Sequence, residues 1–284
     1  KLPPSHLQYP LRCLEVDTVG PIQPPTPSGH QYATVVVDVD TGYTFFGSHT
    51  YKSQTTEIIS NIIRTQHTPS RPIHTIHSDQ GSSYTSTPFR QLLASSNISQ
   101  TFSSPYSNHA FHAERAIQKI FKIARALIAT ANLPKTYWSE AASTATHIIN
   151  HSPRSSNPNK LPPTHLFLPL SPHPPRSHHL HPFGCQAIYK LHLLPRSQKA
   201  HPRGAPAVFL GLQADQKAYR LLTPSNKIII ARDVHFFPDS FPRRHPTPSP
   251  QPRPSPSSNP DPTPDPNPTP RPTRRAHSRV PIRY

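Results

Sequence analysis

Two neighbouring runs decide how this chain folds: Thr55-Thr56-Glu57-Ile58-Ile59-Ser60-Asn61-Ile62-Ile63-Arg64-Thr65-Gln66, and the short Ile73-His74-Thr75-Ile76-His77. In the first, Ile58, Ile59, Ile62 and Ile63 recur at helical spacing, which predicts an amphipathic helix. The second reads as a strand. A strand that rejoins a sheet after a helix runs parallel to the strand before it, through a right-handed crossover. Upstream lie three further strands: Arg12–Val19, alternating around Leu14 and Val16; Gln31–Asp40, with Val35-Val36-Val37 at its centre; and aromatic Tyr43–Phe46. Asp40-Thr41-Gly42 is turn chemistry, so the last two form a hairpin. Downstream come a helix at Thr87–Ser95 and a strand at Ile98–Phe102. Ala113, Ile117, Ile120, Phe121, Ala124, Leu127, Ile128 and Ala131 then trace one stripe of a long amphipathic helix. A last helix spans about Lys135 to His151. An antiparallel meander followed by a parallel crossover makes a mixed sheet with helices on its faces: an α/β domain.

The composition divides the rest. Of 284 residues 41 are proline, and only 33% are apolar, so part of the chain cannot sit around a core. Residues 242–284 hold 15 prolines, eight arginines and two aspartates, which predicts an extended, disordered, basic tail. A Pro/His-rich stretch at 153–181 reads as a linker. Beyond it, Ala187–Leu191, Ala207–Gln213, Ala218–Leu222, Lys227–Ala231 and Asp233–Phe237 are short strands at close intervals, suited to a small β-barrel or open sheet. No apolar run is long enough for a membrane-spanning helix, and no membrane partner is expected. Two cysteines, Cys13 and Cys185, are too few for a disulfide scaffold. Thirty Lys and Arg against thirteen Asp and Glu give a net charge of +17, which favours a polyanionic partner, nucleic acid, whether DNA or RNA.

With few acids available, the search for chemistry is short. Asp17 lies near the end of the first strand, Asp79 directly follows the fourth in His77-Ser78-Asp79-Gln80-Gly81, and Glu114 starts the long helix. If the first and fourth strands are parallel neighbours, Asp17 and Asp79 emerge side by side at the carboxyl edge, where open α/β sheets build their sites. Three converging carboxylates repel one another and call for a cation. Oxygen-only ligands select Mg²⁺ or Mn²⁺, and a pair of such ions suits phosphodiester displacement. The alternative for each is a surface carboxylate capping a turn or helix. Asp38 and Asp40 compete for the role, but at ~3.3 Å per residue they are expected roughly 20–25 Å away, at the far end of the second strand. Glu15 shares a strand face with Asp17 but lies farther from the carboxyl edge.

Several stretches, in order, resemble the integrase of copia-type long-terminal-repeat retrotransposons, in the retroviral integrase superfamily. They are Val16-Asp17-Thr18-Val19-Gly20-Pro21, His77 to Tyr84, Pro105-Tyr106-Ser107 with Ala113-Glu114-Arg115, and Leu133-Pro134 with Tyr137-Trp138, Glu140-Ala141 and Asn150. After the linker, Phe183-Gly184-Cys185, Phe209-Leu210-Gly211, Tyr219-Arg220-Leu221 and Arg232-Asp233-Val234 resemble the SH3-like domain beside such cores. The likeness covers about residues 10–238. It implies an RNase H-like catalytic core at 10–152 with a mixed five-stranded sheet, the linker at 153–181, an SH3-like β domain at 182–238 and the tail at 239–284. It further implies a metal-dependent polynucleotidyl transferase with Asp17, Asp79 and Glu114 as catalytic and metal ligands. Such an enzyme trims element DNA ends, then joins them to target DNA; it works as a homo-multimer, and its place is the nucleus. The spacing departs from the family by one residue, with 34 residues between Asp79 and Glu114, and Ser107–His112 lacks the usual glycine. No His-His-Cys-Cys module precedes Cys13, so the chain is expected to be a piece of a polyprotein or to have lost that module.

On the long helix Arg115, Gln118, Lys119, Lys122 and Arg125 are the candidate DNA contacts; the alternative is a solvated face. His178, His179, His181 and Cys185 do not match common zinc spacings, and Tyr137 and Trp138 read as packing aromatics. Two other readings stand beside the integrase: a decayed or domesticated relic that binds nucleic acid without catalysis, and a proline-rich adaptor acting through its tail.

Overall fold

A computed structural model of the chain describes residues 10–103, 111–168, 180–191, 203–213 and 218–244. The proline-rich tail and His178 and His179 lie outside the described residues, as does most of the loop between the fifth strand and the long helix, residues 104–110.

The first sheet is built from β1 (Cys13–Val19), β2 (Tyr32–Asp38), β3 (Thr44–His49), β4 (Thr75–Ser78) and β5 (Ser99–Phe102), in the order β3-β2-β1-β4-β5. β1 and β3 flank β2 antiparallel, whereas β4 pairs parallel with both β1 and β5. The helix α1 (Thr55–Gln66) makes the crossover from β3 to β4. Two short helices, α2 (Ser82–Thr85) and α3 (Thr87–Ser95), lead from β4 to β5, and α4 (His112–Ala131) and α5 (Trp138–His151) follow. This is the mixed five-stranded, RNase H-like architecture that the sequence predicts.

β2 is buried on both faces, which explains its unbroken Val35-Val36-Val37. Alternation sends Val36, with Leu14 and Val16 of β1, into a core against α1 and α3 around Ile59, Ile76 and Phe89. Val35 and Val37 face the other way, onto Ala113, Ile117 and Ile120 of α4 and Ala141 and Ala145 of α5. α4 ends where Asn132 takes a left-handed conformation (φ 51°), a common helix stop. A stretch of the predicted linker packs on this domain: α6 (Pro163–Phe167) buries Phe167, whose ring stacks on Tyr43 at 4.1 Å.

The second sheet consists of β6 (Gln186–Lys190), β7 (Gly204–Leu212), β8 (Tyr219–Leu222), β9 (Ile228–Ala231) and β10 (Val234–Phe237), in the order β10-β6-β7-β8-β9, all antiparallel. One face gathers Cys185, Ala187, Ala207, Phe209 and Leu221 into its own small core. The alternate residues Val208, Leu210 and Leu222 instead join the core beneath α4 and α5. Polar contacts reinforce the seam. Arg220 donates two 2.6 Å hydrogen bonds from Nε and Nη2 to the Glu140 carboxylate, and Thr144 donates to the Leu210 carbonyl at 3.0 Å. Gly211 (φ +140°) meets Thr144 there; a Cβ on it would stand 2.4 Å from the Thr144 hydroxyl. Beyond β10, Arg244 donates from Nε to the Thr130 carbonyl, and the Arg243 carbonyl accepts from Asn132 at 2.7 Å.

Candidate active site

The parallel pairing of β1 with β4 sets Val16 opposite Ser78, so the next residue of each, Asp17 and Asp79, stands level with the other. Adjacent strands lie about 4.8 Å apart. Because Leu14 and Val16 point into the α1 side, Glu15 and Asp17 project toward α4.

Each carboxylate is held in its own way. Asp79 Oδ1 accepts the Gly81 amide at 2.9 Å, and a Cβ on Gly81 would come within 2.8 Å of that oxygen, so a side chain there would push the Asp79 carboxylate out of its place. Asp17 Oδ1 accepts the amide of Thr18 at 2.7 Å. The Thr18 hydroxyl lies on the opposite face, 2.8 Å from the Tyr84 hydroxyl and 2.9 Å from that of Thr34. Since Tyr84 belongs to α2, this bond ties the strand carrying Asp17 to the turn carrying Asp79. Burial pushes the Tyr84 phenol strongly upward.

Glu114 is exposed in the first turn of α4 and accepts from Gln118 Nε2 at 3.3 Å. What fixes that turn is Glu15. Its Oε2 accepts the amides of His112 (2.5 Å) and Ala113 (3.3 Å), and its Oε1 lies 3.0 Å from His112 Nδ1. A carboxylate at a helix N-terminus satisfies amides that have no partner inside the helix and opposes the positive end of the helix dipole. Glu15 therefore ties the start of the glutamate helix to β1 two residues before Asp17. Sequence reasoning set it aside as a competitor. The signal that could have found it is its place on the Asp17 face with an amide-rich helix start due to arrive there.

The three charges meet electrically at Asp17. Burial raises its pKa most, the Thr18 amide opposes that, and the charges of Asp79 and Glu114 raise it further. Among the described residues, however, no group of three His, Cys, Asp or Glu side chains stands close enough together to hold a metal ion. The donors are all carboxylate oxygens, chemically suited to a hard divalent cation.

Asp38 needs correcting. Leu14 pairs with Asp38 and Asp17 with Val35, so Asp38 lies only three residues along β2 from the level of Asp17, roughly 10 Å rather than 20–25 Å. Asp17 pairs with the middle of β2 rather than with its start, which brings Asp38 much closer than a whole strand's length. Asp38 is nevertheless spoken for: fully buried, it accepts from the amides of Leu11 (3.1 Å) and Thr41 (3.2 Å) and from the Thr41 hydroxyl (2.5 Å). Burial raises its pKa. Asp40 pairs with Arg12 at 3.9 Å.

Of the basic helix, Arg115, Gln118, Lys119, Lys122 and Arg125 are all exposed. Trp138 is a packing residue, donating to the Pro24 carbonyl at 3.2 Å. His181 stacks on Phe236 at 3.7 Å and Cys185 is buried beside it in the β domain. No helix among the described residues is long and apolar enough to cross a membrane.

Residues 8–108 match the integrase core domain family, and residues 185–250 match the retroviral polymerase SH3-like domain family. The chain is 28% identical over 228 residues to the retrovirus-related Pol polyprotein from transposon TNT 1-94 of Nicotiana tabacum, covering 78% of this chain and 16% of that protein. It is 29% identical over 222 residues to the Pol polyprotein from transposon RE2 of Arabidopsis thaliana, covering 75% and 14%. The chain thus spans about one-sixth of the length of the curated relatives it matches. A chain of the simian T-cell lymphotropic virus intasome in complex with a PP2A regulatory subunit is similar at a TM-score of 0.46 and 18% identity, covering 80% of this chain and 79% of that one. That likeness is too slight to carry an argument. The chain thus carries a stretch similar to the integrase core domain at residues 8–108, followed by one similar to the retroviral polymerase SH3-like domain at residues 185–250, and the relatives it resembles include plant retrotransposon Pol polyproteins.

Proposed function

We propose that this chain performs DNA integration: metal-dependent trimming of the 3′ ends of element DNA, followed by strand transfer into target DNA. The observation that carries the reading is the convergence of charge at Asp17, level with Asp79 across parallel strands and raised further by Glu114. Asp17, Asp79 and Glu114 are the proposed ligands of Mg²⁺ or Mn²⁺. When bound, a pair of such ions activates an attacking oxygen and stabilises the departing one. The chain's own part is to position. The sheet fixes Asp17 and Asp79, Glu15 fixes the turn that carries Glu114, and Arg115, Gln118, Lys119, Lys122 and Arg125 offer donors to backbone phosphates. In the first reaction water attacks a phosphodiester near the DNA end, and the bond to the 3′ oxygen breaks, leaving a 3′-hydroxyl. In the second that hydroxyl attacks a target phosphodiester and displaces the target's own 3′ oxygen. Element ends and target DNA as partners, homo-multimer assembly and a nuclear place belong to the same proposal.

One observation favours a second reading. The three carboxylates are not gathered within reach of one ion among the described residues, as a relic that binds DNA without joining it would allow. A strand-transfer assay with Mn²⁺ and a short duplex separates the two. Products that vanish on Asp79→Asn support the enzyme. DNA binding with no product from the folded wild-type chain supports the relic.

A further inference from the structure

A cleft of about 180 Å³ opens between α4 and the end of α5, lined by Val37, Gly42 and Thr44 at its base and by Arg115, Lys119 and Arg154 among its walls. Three fixed cations share this space and no carboxylate lines it. Among the described residues none of the three forms an ion pair. Arg154, from the segment after α5, is half-buried, and loss of water lowers its pKa. The acid that acts on it is Asp38, whose oxygens are already engaged by Leu11 and Thr41. Arg154 is also built into place. Its Nε donates to Ser156 at 2.7 Å, and its guanidinium lies over Gly42, where any Cβ would collide with Nη1. Holding Arg154 half-buried beside two exposed charges of the same sign costs free energy that a bound anion would offset.

We infer that this cleft seats a backbone phosphate of DNA, with Arg154 as its positioned donor, an anchor separate from the carboxylates. The inference rests on the DNA-joining reading and deepens it. Sheet order keeps the two places apart: the cleft lies against β2 and β3, Asp79 lies beyond β4, and β1 with Asp17 stands between them. They remain neighbours along one strand of DNA, because Arg115 directly follows Glu114 on α4. Arg154 was not among the residues expected to touch DNA; a lone arginine in a proline-rich stretch carries no sequence signal.

The test is binding of the full chain to a fluorescent duplex over a range of salt concentrations. Each phosphate contact contributes about one unit to the slope of log affinity against log salt. Arg154→Gln should lower that slope by about one for two unrelated duplexes alike, since phosphates carry no sequence information, and Arg154→Lys should restore it. Ser152→Glu, which places a carboxylate in the cleft, should weaken binding, while exposed Ser155→Glu outside it should do so less. If Arg154→Gln fails to fold, the serine pair decides alone. Wild-type binding with slopes unchanged by Arg154→Gln, or equal loss from the two serine variants, overturns the cleft and leaves the integrase reading standing. A folded wild type that binds no duplex defeats both. Binding of inorganic tripolyphosphate that depends on Arg154, without duplex binding, rejects DNA as the occupant.

Discussion

Glu15 and Asp17 share one face of β1 and meet different fates. Glu15 spends its charge on three contacts at the head of α4. Replacing it with alanine should cost about 1–2 kcal/mol, the usual toll of losing a helix cap. Glu15→Gln, which keeps one acceptor oxygen, should recover part of that, and urea denaturation reads both. Asp17 accepts its neighbour's amide, while burial and the charges of Asp79 and Glu114 hold its pKa above the usual carboxylate range. A carboxyl raised in the folded state binds its proton more tightly there than when unfolded. Its contribution to stability is therefore full below the unfolded pKa and lost as pH rises through the folded one. Without divalent ions, Asp17→Asn should stabilise the fold at neutral pH and change little below about pH 4, where the wild-type carboxyl is protonated as well. Denaturation midpoints across that range check the sign; a destabilised variant at neutral pH contradicts it.

At the scale of elements, the turn after β4 is the tightest piece of the candidate site. Gly81→Ala would drive a methyl group toward Asp79 Oδ1, so strand transfer should fall by at least tenfold while thermal stability stays within about 1 kcal/mol, the range of a tolerated exposed substitution. Elements were legible because hydrophobic period survives whatever surrounds it: α1 and α3 span the residues expected of them, Thr55–Gln66 and Thr87–Ser95. Two features were not. The placement of Asp38 was one, because turn chemistry at Asp40-Thr41-Gly42 fixes the centre of the β2–β3 hairpin but not which residue of β2 stands opposite Asp17 on β1. The contact of Glu15 with α4 joins residues 97 apart, and no local pattern encodes where a helix start comes to rest. The carboxylates were singled out by scarcity and by one topological deduction, that β1 and β4 run side by side, and the pairing of those strands is as expected.

In the whole molecule, stretches of the first and second sheets' domains far apart in the chain touch one another. Glu140 meets Arg220, Thr144 meets the backbone of Leu210 and Gly211, and Gly184 sits against Ala131, where a Cβ would come within 2.2 Å. Read singly, each looked like part of its own domain; paired, they form the seam. A double-mutant cycle on Glu140→Ala and Arg220→Ala should give a coupling of about 1–3 kcal/mol by chemical denaturation, since either partner alone is left partly buried and unpaired. Ending the chain at residue 181 would strip Phe183, Val208, Leu210 and Leu222 from the core of α4 and α5. The shortened protein should melt at lower temperature and aggregate more readily than the full chain, as light scattering during a thermal ramp would show.

α4 is fastened at both ends by parts far away in the chain: at its head by Glu15, and at its foot by the Arg243–Arg244 stretch that leaves the β domain. Twenty residues of helix make a stiff rod about 30 Å long. A rod pinned this way and packed along its length is a strut: it sets a constant separation between the head that carries Glu114 and the residues that leave the β domain.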